Sequence, residues 1–405
     1  MRIELTPEQE AFQQTAADFA ERSVRAQAGA IDAGDRFPAA LVDEAARLGL
    51  LGVTVPPGEG GAGRDAVSYA LALEAVAAAS ATVAMILAVH NSLAAEVVAH
   101  FGSEPQRGRW LRRLATGRSL GACALVEADA GQGEAGGGVT AARDGERYVL
   151  RGRAMWVANA AAAELFVVFA AAGTGGEPAG ACAFLVPGDA PGLTRADARD
   201  ALGVRGLGCR DVVLEDVRLG ADARLGAPGD GCKVRDWALD GARVATAALA
   251  VGVGQAALAE TLAYARRPQA VGAAPGRPQS VSWTLADTAT DVDAARLLVL
   301  KAAAARDRQQ RCTLEASMAK LAAAEAAQRT AERTMQLLAA AAYERGSTAE
   351  RLLRDARAAE IGQGTSAVQR LTIAAELLGE ASGLRTSTSR GGADRRFSRS
   401  ESRAP

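Results

Sequence analysis

Arg354-Asp355-Ala356-Arg357-Ala358-Ala359-Glu360-Ile361-Gly362-Gln363-Gly364-Thr365, continuing as Ser366-Ala367-Val368-Gln369-Arg370, is the stretch on which the reading of this chain turns. Gly362 and Gly364 flank one amide side chain, Gln363, and Gly364 reads as a turn glycine after a helical run. A primary amide does not accept a proton at neutral pH, so Gln363 is not a general base. Glu360 is a carboxylate one helical turn earlier, a spacing that suits a solvent-facing or ion-paired helix residue.

Working outward, the chain has 405 residues, of which 49% are apolar and 23% charged, enough for roughly two or three packed units. Its net charge of −1 gives no global field that would favour nucleic acid. Cys123, Cys182, Cys209, Cys232 and Cys312 lack C-x-x-C spacing, which speaks against a metal site or a disulfide framework and for reduced thiols in the cytoplasm. The polar, acidic start Met1-Arg2-Ile3-Glu4-Leu5 is not an apolar leader, and no long apolar run free of charge suggests a membrane span. The expectation is a soluble, intracellular protein. His90 and His100 read as ordinary helix residues, since neither is near a candidate nucleophile in sequence.

The texture changes twice along the chain. Residues 1–120 alternate helical patterns with breakers: Thr6 before Pro7 reads as an N-cap, and Pro56-Pro57-Gly58-Glu59-Gly60-Gly61-Ala62-Gly63 reads as a loop. From 121 to 230 come short β-type runs, Tyr148-Val149-Leu150, Leu165 to Phe169, Ala183 to Val186 and Val212-Val213-Leu214, set off by glycine-rich turns. From 231 to 380 long Ala/Leu/Arg/Glu helices return, as in a four-helix bundle. The fold class is therefore α+β, mainly α. Residues 381–405, rich in Arg and Ser, cannot bury a core and are expected to be a disordered tail; Phe397 alone offers stacking, so a nucleic-acid arm is the weaker reading.

With these segments in place, the chain resembles the acyl-CoA dehydrogenase family. The opening stretch is similar to the family's R-D-A-x-x-x-x-I-Y-E-G-T-x-x-I-x-R, with Gln363 where the family carries its catalytic glutamate. Leu48-Gly49-Leu50-Leu51-Gly52-Val53-Thr54-Val55-Pro56, His90-Asn91-Ser92-Leu93, Gly121 to Glu127, Trp156 to Ala160, Leu239-Asp240 with Arg243, and Glu315 to Lys320 extend the likeness over residues 3 to about 378. The resemblance implies an N-terminal helical domain, a middle β domain and a C-terminal bundle. It also implies FAD as cofactor and an acyl thioester of coenzyme A or a carrier protein as substrate. The glutamate would remove the α-proton while the flavin takes hydride from the β-carbon.

Residue by residue, the likeness thins where that chemistry sits. The resemblance places Leu125, Val126, Trp156, Ala158, Gln279, Gln336 and Gly364 at flavin-binding positions, and Arg243, Thr365 and Gln363 around the thioester. Val126 and Ala158 stand where the family has hydroxyl side chains, and Pro268 and Val271 where it has an arginine and a phenylalanine that reach a neighbouring subunit's flavin. Arg266 and Arg267 lie close by but read as a solvated helix end, and Trp156 is equally a β-domain core aromatic. Ala339 to Ala342 replace the glycines of Q-x-x-G-G-x-G with residues that continue a helix. Ala242 occupies the alternative site for the base. Three functions remain open. One is an acyl-thioester protein that does not perform ordinary dehydrogenation, working as a homodimer or homotetramer. The second is a non-catalytic subunit in a hetero-oligomer with an intact paralogue. The third is an FAD-dependent dehydrogenase with atypical residues.

Overall fold

The amphipathic run after Pro7 folds as α1 (Pro7–Phe19) in the computed structural model, which describes residues 4–125, 138–172, 181–267 and 278–379. Thr6 caps it: its hydroxyl accepts from the Gln9 amide while the Thr6 N–H donates to the Gln9 side chain at 3.0 Å, a reciprocal capping box. A π turn leads into α2 (Arg25–Gly34), followed by α3 (Ala39–Arg47), α4 (Ala66–Ala79), α5 (Ala81–His90), α6 (Glu96–Phe101) and α7 (Glu104–Ala115). The Pro56–Gly63 segment is the loop between α3 and α4, with one 3-10 turn at Pro57–Glu59. Nearly every residue of α4 and α5 is buried, as expected of helices apolar all round.

Two polar residues fix how this helical layer meets the next. His90 is fully buried; its Nε2 lies 2.9 Å from the Leu51 carbonyl and 3.2 Å from that of Leu114, while Nδ1 accepts from the Gly121 amide at 3.0 Å. These partners require the neutral tautomer with the proton on Nε2. Asn91 beside it bonds Leu50 O, Leu87 O and the Val53 amide. His90 is thus more than an ordinary helix residue: it joins three segments at the entrance to the β domain.

The middle unit is one mixed sheet built from β1 (Gly121–Ala124), β2 (Val139–Asp144), β3 (Arg147–Val157), β4 (Leu165–Ala172), β5 (Ala181–Pro187), β6 (Leu193–Ala198), β7 (Arg210–Gly220) and β8 (Arg224–Leu225). Its order is β6-β7-β3-β2-β4-β5-β8, with β1 parallel to β4. All four β-type runs seen in the sequence lie in strands. β4 is buried on both faces by alternation: Leu165, Val167 and Phe169 pack on the helices, whereas Phe166, Val168 and Ala170 join the sheet's own core.

The chain then enters α8 (Gly231–Ala265), α9 (Gln279–Asp307), α10 (Thr313–Leu338) and α11 (Thr348–Ile361), the four-helix bundle, with α12 (Ser366–Leu378) laid on α10. α8 also packs against α4 and α5, so the two helical regions share one hydrophobic core although 110 residues of β domain separate them in sequence. A Cβ on Gly252 would lie 2.2 Å from the Glu74 carbonyl; only glycine lets α8 and α4 approach so closely. Glu74, buried, bonds Arg296 of α9 and Gln255 of α8 and so couples three helices. The stretches 81–101 and 231–265 are long and apolar enough to cross a membrane, yet their apolar windows are 100% and 83% buried inside the fold, as core helices are. Residues 381–405, the expected tail, lie outside the described residues.

The signature residues Arg354 and Asp355 hold the parts together. Arg354 forks onto Asp32 of α2 at 2.7 and 2.8 Å and onto Glu350 at 2.6 and 2.9 Å, and donates to Leu202 O at 3.0 Å. Asp355 is buried and accepts from the Val204 amide at 2.7 Å. Gly203 lets that loop sit down, since a Cβ there would meet the Arg354 carbonyl at 2.3 Å.

Burial gives Asp355 and His90 opposite responses to acid. Desolvation pushes the Asp355 carboxyl from 3.8 up to about 6 and the His90 imidazole from 6.5 down to about 4. Between pH 6.5 and 4 the unfolded chain binds the His90 proton more readily, so that group lowers stability as pH falls. Between pH 6 and 3.8 the folded chain binds the Asp355 proton more readily, so that group raises it. Each amounts to about 3 kcal/mol, and they offset. The Asp355→Asn variant keeps an acceptor for Val204 but removes one of the two. Urea denaturation is expected to show stability falling by about 3 kcal/mol more steeply than wild type between pH 6 and 4; parallel profiles would refute the pairing.

Candidate functional site

Gln363 sits in the turn between α11 and α12, in a left-handed backbone conformation with φ of 53°. Two buried side chains impose that turn. The Lys320 ammonium of α10 donates to the carbonyls of Glu360 at 2.8 Å and Gly364 at 2.7 Å. Gln369 of α12 donates to those of Gln363 at 3.1 Å and Gly364 at 2.9 Å. From α8, the Thr246 hydroxyl donates to Gln363 Oε1 at 2.7 Å. Ala242 lies one turn before Thr246 on the same helix and is apolar and buried. Glu360 is paired with Arg357, as its spacing suggested.

The other residues expected around a thioester are differently placed. Arg243 is buried in a pair with Asp240 at 3.0 Å, and Asp240 also accepts from Thr313 at 2.7 Å. Burial raises the Asp240 carboxyl above its ordinary value, against the pull of Arg243. Thr365 is the N-cap of α12, its hydroxyl accepting from the Val368 amide at 3.4 Å, a structural task. A cavity of about 980 Å³ opens between the 54–66 loop, α6, the start of α8 and the turn from α9 to α10. Asp240, Trp237, Lys233, Arg311 and Thr313 line it, whereas Gln363, Arg243 and Thr365 do not; Gln363 is held by Thr246, Arg243 by Asp240, and Thr365 caps α12.

On the sheet side, Trp156 is half exposed and has φ of 56°. Its amide donates to Asp211 Oδ1 at 3.0 Å, and Arg199, bonded to the same carboxylate at 2.6 Å, lies 4.9 Å from the ring centroid. Burial opposes ionisation of Asp211, but Arg199, the Trp156 amide and Arg153 outweigh it and draw the carboxyl down to about 2. Trp156 is therefore a held surface aromatic, not a core residue. Asn159, with φ of 64°, is buried and donates to Ile86 O at 3.0 Å and Gly121 O at 3.3 Å, leaving its Oδ1 without a partner among the described residues.

Of the remaining flavin positions, Leu125 and Ala158 are half-buried hydrophobics against the helical core, and Gln279 and Gln336 are exposed at a helix start and a helix end. Gly364 is buried with φ of 92°. Val126, Pro268 and Val271 lie outside the described residues, and Arg266 and Arg267 are exposed at the end of α8. These residues do not supply the hydroxyl pair that the resemblance assigns to the flavin.

Ala339 to Ala342 do not continue α10. The helix ends at Leu338, and Ala339 takes φ 49° and ψ −121°, a conformation suited to glycine. The chain has to turn there so that Ser347, which caps α11, can reach the Ala342 carbonyl at 2.9 Å. The Ala339→Gly variant is expected to gain about 1 kcal/mol, relief of backbone strain exceeding the added freedom of the unfolded chain. Equilibrium denaturation measures it, and a loss of stability would show that the turn is unstrained. Four of the eight non-glycine residues with left-handed φ among the described residues, Trp156, Asn159, Ala339 and Gln363, thus lie at candidate site positions. Sequence reading picked out the stretches that hold all four. It missed Thr246, Gln369, Asp211 and the anchoring role of Lys320, whose importance comes from contacts far apart in the chain.

Comparison with known proteins gives the same assignment from residue 6 to residue 378. The pattern described as acyl-CoA dehydrogenase, N-terminal domain, matches residues 6–118; the middle-domain pattern matches 122–217 and the C-terminal pattern 229–378. A probable acyl-CoA dehydrogenase, YngJ, of Bacillus subtilis (strain 168) is 39% identical over 93% of this chain and 100% of its own length. The mitochondrial short-chain specific acyl-CoA dehydrogenase of Bos taurus is 38% identical over 93% of this chain and 91% of its own. Among solved structures, butyryl-CoA dehydrogenase from Megasphaera elsdenii superposes with a TM-score of 0.88 at 32% identity, covering 93% of this chain and all of that one. With the helical, β and bundle units in that order and each matched by its own pattern, the chain belongs to the acyl-CoA dehydrogenase family.

Proposed function

We propose that this chain binds an acyl thioester as its family does but does not carry out ordinary flavin-linked α,β-dehydrogenation. The observation that carries this reading is the Gln363 amide, held by Thr246 where the resemblance expects a carboxylate. An amide cannot take the α-proton, and Ala242 offers no substitute from α8. The fatty or short acyl group is the substrate class, in keeping with the short-chain relative from cattle. The wide cavity beside α8, with Lys233 and Arg311 on its walls, has room for the bulky carrier end of a thioester.

The test is to purify the full chain alone, release any flavin by denaturation, and assay butyryl-CoA oxidation with an artificial electron acceptor. A colourless, inactive protein that still binds butyryl-CoA is expected. Stoichiometric flavin with brisk turnover would overturn the reading in favour of an atypical but working dehydrogenase. The Gln363→Glu variant extends the test. A restored base contributes about 10²–10⁴-fold, but Val126 and Ala158 still lack hydroxyls, so turnover with added FAD is expected to stay about tenfold to 100-fold below that of an intact family member. Rapid turnover by this single variant would refute the argument.

A second reading, a non-catalytic subunit that completes a hetero-oligomer, draws on the apolar residues left uncovered on the bundle. Trp283 and Leu297 of α9 and Leu371, Leu377 and Leu378 of α12 are exposed. Co-expression with an intact paralogue separates the two, because only this second reading expects flavin and activity to appear in the joint assembly.

A further inference from the structure

The wall of the cavity of about 980 Å³ carries more unpaired positive charge than negative. Most of its carboxylates are already engaged. Glu96 accepts from Arg306 at 2.6 Å and from Thr54 at 2.9 Å, Asp307 from the amides of Ala66 at 2.6 Å and Val67 at 3.3 Å, and Asp236 from Arg235 at 2.9 Å. Asp240 is held by Arg243 and Thr313, which leaves Glu59 as the one wall carboxylate without a partner among the described residues. Three wall cations, in contrast, have no carboxylate partner among the described residues: Arg64, Arg107 and Lys233. Arg64 lies 5.7 Å from the Phe12 ring centroid, and Arg107 donates to the Gly102 carbonyl at 2.9 Å. Lys233 is in the first turn of α8, a position that favours anions over cations.

The same wall carries an aromatic ledge beside these cations. The His100 ring stacks on Trp237 with centroids 4.5 Å and planes 9° apart, Arg306 lies 4.0 Å from the Trp237 centroid, and Phe101 stands across both rings. His100 is the exposed end of this stack. Burial, then the charges of Arg306 and Lys233, lower its proton affinity against the opposite pull of Glu96, so the ring is neutral at pH 7 and suited to stack on a heterocycle. Arg107 is tied down two residues beyond it, at Gly102. We propose that this cavity is a binding site for a nucleoside phosphate, with the base on His100 and the phosphates on Lys233 and Arg107. Separate unpaired cations suit a polyanion, a neutral ring suits a base, and the volume is that of a small-molecule site. The proposal does not depend on Gln363, which is not on this wall. It meets the thioester reading at one point, since coenzyme A also ends in an adenosine phosphate.

Titration calorimetry of the full chain with ADP, at neutral pH and low salt, tests this. ADP is expected to bind, and pyrophosphate to bind about fivefold or more weakly for want of the base stack. Lys233→Gln and Arg107→Gln are each expected to weaken ADP about tenfold, the worth of one charge-assisted contact. His100→Ala is expected to weaken ADP about fivefold or more and to leave pyrophosphate unchanged. Arg118→Gln, exposed and off the cavity wall, changes neither. Competition with butyryl-CoA identifies the source of the nucleotide: displacement of ADP assigns the site to the nucleotide end of coenzyme A, joint binding assigns it to a free nucleotide, and both uphold the site. Failure of ADP to bind, or binding that Lys233→Gln and His100→Ala both leave unchanged, overturns the inference; butyryl-CoA binding by the same sample then leaves the thioester reading standing. Binding of ADP without binding of butyryl-CoA overturns the thioester reading alone and upholds this one.

Discussion

Replacing Arg354 with alanine is expected to cost about 3–5 kcal/mol of folding stability, read as a lowered urea midpoint. Arg354 is the one side chain described that bonds α2, the 200–208 loop and its own helix together, through Asp32, Leu202 and Glu350. Asp32 and Arg354 are mostly buried, with side-chain exposures of 13% and 15%, so truncation strands a carboxylate where water reaches it poorly. The paired carboxylates hold the guanidinium above its already high ordinary value, so no accessible pH weakens the pair from that side. Arg354→Lys keeps the charge but not the fork that engages both oxygens of Asp32, and is expected to recover only part of the loss. A loss below about 1 kcal/mol for Arg354→Ala would show that the pair behaves like an exposed ion pair and does not clamp the three units.

The second large effect is expected from His90→Leu, at about 3–5 kcal/mol. Leucine nearly fills the space but leaves the Leu51 carbonyl and the Gly121 amide without their partner in a fully buried setting, at about 1–3 kcal/mol each before any packing change. The Leu114 carbonyl keeps its bond from the Gly117 amide and adds little. The variant also removes a titrating group. The wild type loses the stabilisation tied to neutral His90 as pH falls from 6.5 toward about 4, and His90→Leu has no such loss to undergo. Denaturation at pH 7 and at pH 5 therefore separates the two consequences. The gap between wild type and variant should be widest at pH 7 and narrow in acid. A constant gap would mean that the imidazole is not held neutral.

Much of the architecture was legible in the sequence because its signals are local. A capping residue before Pro7, runs of valine and aromatic residues such as Leu165 to Phe169, and alanine-rich helical stretches each declare their element within a few residues. The short strands β1, β2, β6 and β8 were harder to see. They carry alanine, charge or only two residues, and they exist because longer strands offer them an edge. The fusion of the two helical regions into one core was also hidden, since it depends on α8 meeting α4 across an intervening domain. At the site, a single letter announced the missing base, but neither Thr246 nor Gln369 has a local pattern that would mark it. The end of α10 misled for a related reason: alanine favours helix, and the demand for a turn at Ala339 comes from where α11 must begin.

The way the turn at Gln363 is anchored bears on how such a protein can change its trade. Lys320 and Gln369 grip the main-chain carbonyls of residues 360, 363 and 364, so the socket is held through the backbone whatever side chain is plugged into it. A lineage can therefore exchange a proton acceptor for a hydrogen-bond donor by a single codon change without first rebuilding the loop. Retooling of this kind puts little at risk in folding and much in chemistry, which makes the position an early place to look when relatives of similar shape are found to do different work.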